Sequence, residues 1–179
     1  MPMRRGARVW LLAVTLAALA AGGVSAAASA EGRSAVAIVV SEAWEEARHI
    51  DVPTLRQFYL GRRRRWRGER VDCFHLGSGT PIREGFDRLV VGRTEAALEA
   101  YWIEQALLGG PRPPREFGSQ ARVLERVRQR AGNIGYVDHA ALVREPAEGV
   151  RILGVLHDGR LIAPGDADYP IQYEVPTKP

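Results

Sequence analysis

The chain has 179 residues, of which 46% are hydrophobic and 26% charged, with 25 basic and 21 acidic side chains and a formal net charge of +4. That composition belongs to an ordinary folded domain and excludes a disordered tail, a collagen-like repeat and a multi-pass membrane protein. The only cysteine, Cys73, excludes an internal disulfide and a cysteine-based zinc site.

Arg4, Arg5 and Arg8 precede an uncharged stretch over residues 9–30, apolar over 9–21 and ending in Ala28-Ser29-Ala30. This is the form of a secretory signal peptide, with cleavage expected near Ala30 and a single mature domain over residues 31–179. An uncleaved anchor is the alternative, disfavoured by the Gly, Ser and Ala of the second half, which bury little surface in a membrane. The mature part carries 22 basic and 21 acidic groups, so much of the high pI comes from the leader.

Residues 35–40 (AVAIVV) form a continuous apolar run, as in a strand buried on both faces. Residues 53–60 predict a helix with Leu55, Phe58 and Tyr59 on one side, and residues 71–76 a second strand. Thr80 followed by Pro81 predicts a capped helix start, with Ile82, Phe86, Leu89 and Val90 facing the core. Thr94 caps a further helix with a stripe of Leu98, Tyr101, Trp102 and Ala106. After a loop over residues 109–114, Ser119 opens a helix that buries Val123, Leu124 and Val127 and closes at Gly132. Residues 134–137 and 150–156 read as strands, and Asp158-Gly159 as a hairpin turn into Leu161, Ile162 and Ala163. The tail from Ile171 onward is weakly specified. Alternating strands and helices predict an α/β fold.

Two stretches bear on chemistry. Gly77-Ser78-Gly79-Thr80-Pro81 lies between a strand and a helix, where glycines permit close backbone approach and the helix start carries unpaired N–H groups. Ser78, Gly79 and Thr80 are therefore candidate contacts for a small oxyanion, with Arg83 one turn in as the cation. The plainer reading is a capped turn that meets only water. Residues 61–70 hold six arginines and one glutamate, while the rest of the mature part is net acidic. Arg62, Arg63, Arg64, Arg65 and Arg67 are candidates for an acidic partner or a membrane surface. The plainer reading is a solvated loop with Trp66 tucked into the core. Nucleic acid is a poor partner for an exported protein. His49, His75, His139 and His157 lack metal-ligand spacing, Ser78 lacks the flanking glycines of a nucleophile elbow, and neither a cofactor nor an enzyme activity is expected.

The order of motifs resembles the phosphate-binding proteins of ABC importers. Leu55-x-x-Phe58-x-Leu60-Gly61 followed by Trp66 is similar to that family's L-x-x-I-F-L-G segment and later Trp, and Ser78-Gly79-Thr80 to its phosphate-contacting S-G-T. Gly132-Asn133-Ile134-Gly135-Tyr136-Val137 is similar to G-A-I-G-Y-V, and Asp168-Tyr169-Pro170-Ile171 to a late Y-P-I/L segment. The resemblance implies a mixed sheet flanked by helices, as in the type II periplasmic-binding-protein-like fold. It also implies periplasmic location, phosphate or another oxyanion as ligand, and a membrane transporter or sensor as partner. The family's Arg four residues before the Ser of S-G-T is here Phe74, and its Asp two residues before is Leu76. Losing such contacts weakens the hold on a buried anion. The 149 residues of the mature part suit a single lobe, since two hinged lobes need about 250 residues or more. The expected function is weak oxyanion binding in connection with ABC transport or sensing. The alternative is a non-catalytic envelope module that docks through the arginine-rich loop.

Overall fold

Strand β1 (Val36–Ser41) is buried on both faces, as the continuous apolar run over residues 36–40 requires. The computed structural model describes residues 35–157 and 160–169; the leader-like segment, the Asp158-Gly159 turn and the segment from Pro170 lie outside the described residues. After β1 come helix α1 (Val52–Tyr59), a small hairpin of β2 (Arg65–Trp66) and β3 (Glu69–Arg70), and strand β4 (Asp72–Leu76). Helix α2 (Pro81–Phe86) runs into a π-helical turn (Asp87–Val91) and is followed by α3 (Glu95–Leu107), β5 (Arg115–Phe117) and α4 (Gln120–Arg128). The order closes with β6 (Asn133–Asp138), α5 (His139–Arg144), β7 (Val150–His157) and β8 (Arg160–Ile162).

Six strands form one mixed sheet in the order β5-β4-β6-β1-β7-β8. β4 lies parallel to both β5 and β6, whereas β1 is antiparallel to β6 and β7. β7 and β8 pair antiparallel with His157 opposite Arg160, on either side of the two residues where a hairpin turn is expected. Alternation along β6 sorts the helices between the two faces. Gly135 lies under α4, where a Cβ would sit 2.6 Å from Val123 and 2.9 Å from Val127, so only glycine lets the helix approach this closely. Its neighbour Tyr136 points to the other face and stacks on Phe86 of α2 with ring centroids 3.9 Å apart.

Three helix caps sit where the sequence places them. Thr80, Thr94 and Ser119 each accept a bond from the amide three residues on. Leu89 does not face the core. The π turn adds a residue to the helical repeat, as the Gly92 N–H bond to the Asp87 carbonyl marks, and this turns Asp87, Val90 and Val91 inward and Leu89 outward. Along α3, Leu98 and Tyr101 are buried and Trp102 is half-buried, but Ala106 is exposed together with Leu107 and Leu108. No element among the described residues covers that last turn. Strand β5 and helix α5 are additions to the expected order; the first has three residues, and the second starts at a cap made by Asp138 to the Ala140 amide.

Tyr59, His75, Phe86 and Tyr136 form an interior aromatic cluster, with the His75 Nδ1 and the Tyr136 hydroxyl 3.0 Å apart. Phe86 is fully buried, and Phe86→Ala is expected to lower stability by about 3–5 kcal/mol in denaturant unfolding. Burial, and then the positive charge of Arg83, hold the His75 imidazole well below its ordinary value. It stays neutral in the fold, while the unfolded chain takes up a proton below about pH 6.5. The stability due to this histidine is therefore complete above that pH and declines below it, by up to about 1.4 kcal/mol per pH unit. Unfolding curves recorded between about pH 6.5 and 5 should show a shallower decline for His75→Phe than for the parent protein.

Candidate functional site

The Gly77-Ser78-Gly79-Thr80 turn leaves the carboxyl end of β4, which is the end of parallel strands where open α/β sheets place their ligands. Gly79 adopts φ +74° and is exposed, and Ser78 beside it is exposed too. The Thr80 hydroxyl is engaged locally: it donates to the Gly77 carbonyl and accepts from the Arg83 amide, both at 3.3 Å. The Glu84 amide bonds the Thr80 carbonyl, and Pro81 has no N–H. Of the first-turn amides that an anion uses at a helix start, Ile82 is the one without a capping partner.

Arg83 is directed inward from this turn. It is 4% exposed, and its Nε donates to Asp87 Oδ2 at 2.6 Å. Its Nη1 donates to the Leu76 carbonyl at 2.7 Å and to Glu116 Oε1 at 2.9 Å. Two carboxylates and a carbonyl thus take up the charge that the sequence assigns to the oxyanion. Burial works against this cation, but its bonds to Asp87 and Glu116 outweigh that and push its pKa up. On Asp87, burial outweighs the bond to Arg83 and raises the carboxyl above its ordinary value. The sequence shows Asp87 four residues after Arg83 on one helix; Glu116 lies on β5, a strand too short to anticipate.

Phe74 and Leu76 are buried. Phe74 packs edge-on against Phe117 at 5.7 Å. The two positions that would carry a cation and an acceptor are therefore part of the apolar interior. Ser78, Gly79 and Thr80 come together in one exposed turn, as expected from their adjacency.

The arginine-rich stretch is a folded hairpin. Arg65 and Trp66 pair with Arg70 and Glu69, and the turn between them has Arg67 at φ +48° and Gly68 at +79°. Trp66 is buried against Trp44 and Phe58. Arg62, Arg63, Arg64, Arg65 and Arg67 are exposed. Arg62 lies over the Tyr101 ring, Arg63 over Phe58 and Arg67 over Trp66. His75 and His139 are buried and His49 and His157 exposed, and no group of three His, Cys, Asp or Glu among the described residues is placed to hold a metal ion.

No protein-family model matches the chain, and no curated protein matches it. Solved structures do. An ABC-type phosphate transport receptor from Vibrio cholerae superposes with a TM-score of 0.50 at 14% identity, over 67% of this chain and 45% of the receptor. PstS from Borrelia burgdorferi superposes with a TM-score of 0.51 at 15% identity, over 66% of this chain and 46% of that protein. The chain spans less than half the length of these structures. At such identity the likeness is one of fold, and the six-stranded mixed sheet with its flanking helices is the α/β fold found in receptors of phosphate ABC transporters.

Proposed function

We propose that the chain is an exported, non-catalytic domain of the solute-receptor kind, whose Ser78-Gly79-Thr80 turn holds a phosphate-like oxyanion loosely. The observation that supports this reading is the exposed, glycine-bearing turn at the carboxyl end of β4, in a fold shared with phosphate receptors. Export rests on the leader-like form of residues 1–30. The hold is loose because Arg83 is tied to Asp87 and Glu116, and because an exposed turn leaves the anion in water, where charge interactions are screened.

A second reading is favoured by the exposure of Arg62, Arg63, Arg64, Arg65 and Arg67: an envelope module that docks through this basic surface on an acidic partner. A transporter or sensor that uses this fold is the kind of membrane partner either reading implies.

Calorimetric titration at low salt should give millimolar or weaker affinity for phosphate or sulfate, about 4 kcal/mol or less. Micromolar binding, or no binding of either ion, would refute the first reading. Arg83→Met is expected to destabilise the fold by about 3–5 kcal/mol by leaving Asp87 buried without its partner. The same substitution should leave the phosphate affinity of the folded protein unchanged, which calorimetry on the variant would check.

A further inference from the structure

An open groove of about 1090 Å³ runs past the amino end of β4, away from the Ser78-Gly79-Thr80 turn, which leaves the other end of that strand. Its one acid, Asp72, accepts from Arg130 at 2.7 Å and lies 3.8 Å from Arg70. Five further arginines line the groove. Arg63 and Arg64 come from the hairpin stretch, Arg112 and Arg115 from the segment that enters β5, and Arg126 from the end of α4. None of these five has a carboxylate partner among the described residues. Three separate parts of the chain therefore bring unneutralised guanidinium groups to one concave surface.

Between the guanidiniums the lining mixes the polar Gln129 and Asn133 with an apolar strip. Pro111 and Pro114 are half-buried, Pro113 is exposed and Cys73 is half-buried. Arg115 also begins β5, one of the two edge strands of the sheet, which among the described residues pairs with β4 alone. An edge strand leaves backbone donors and acceptors for an added extended chain. We propose that this groove binds an extended acidic segment of a partner polypeptide. Its carboxylates would meet the arginine forks, its apolar side chains the prolines, and its backbone the free edge of β5. A phosphate polymer has no apolar part to use this lining. A lipid surface is flat, and the aromatic rings near the groove, Phe58 and Phe74, are buried rather than free to insert. The inference rests on the second reading above and gives its partner a chemistry.

The test is fluorescence anisotropy of the purified full chain with a glutamate–tyrosine copolymer at low salt, with polyphosphate and phosphatidylglycerol vesicles as competitors. Changing Arg64, Arg112 and Arg115 together to serine should weaken copolymer binding about tenfold or more, as should raised salt. Changing Arg62, Arg65 and Arg67 to serine should weaken it about twofold at most, since these three add to the basic surface but lie outside the groove. Circular dichroism should show both variants folded, because all six side chains are exposed. If the second triple variant loses binding and the first does not, the groove is wrong and docking through the loop stands. If the parent protein binds no copolymer, both the groove and the docking reading fall. Polyphosphate or vesicles that bind as tightly as the copolymer would overturn the assignment to a polypeptide.

Discussion

The buried Arg83 holds three elements in place at once. One side chain ties α2 to its own π turn through Asp87, to the last residue of β4 through the Leu76 carbonyl, and to β5 through Glu116. A guanidinium out of water is stable only where its donors are matched by acceptors of good geometry, and here two carboxylates and a carbonyl supply them. The aromatic cluster packs around this knot: Phe86, one residue before Asp87, is pressed flat on Tyr136. The turn that precedes α2 is shaped separately, by the Thr80 hydroxyl and the left-handed Gly79.

Much of this was legible in the sequence. The apolar run of β1, the caps at Thr80, Thr94 and Ser119, and the strand around Gly135 are local signals that tertiary packing left in place. What was hidden depends on contacts between distant residues. Arg83 reads as an anion ligand because it stands one turn into a helix, and its fate depends on Glu116 in a three-residue strand. Leu89 fits an α-helical stripe, and a single widened turn rotates it to the surface. The motif Ser78-Gly79-Thr80 was legible as a turn capped by Thr80, yet the bond that the same hydroxyl donates back to the Gly77 carbonyl emerges only with the structure.

Charge shows the same division. The contiguous arginines of residues 62–65 stand out along the chain, but Arg112, Arg115 and Arg126 look like ordinary surface residues. Only the fold places them opposite the hairpin. Compactness of the basic surface is thus a property of strand order, since β5 and β6, on either side of β4, bring the loop before β5 and the end of α4 to the hairpin's side.

The position of β1 has a consequence for how the molecule is made. The first strand of the domain is an interior strand of the sheet, and its two neighbours are β6 and β7, with Val36 opposite both Asp138 and Leu156. No partner for β1 exists until most of the polypeptide has left the ribosome. Contacts of such long sequence separation form slowly, because the intervening chain must be closed into a loop first. The pairing of β1 therefore waits on β6 and β7, and the middle of the sheet closes late in synthesis whatever the order in which its other strands meet.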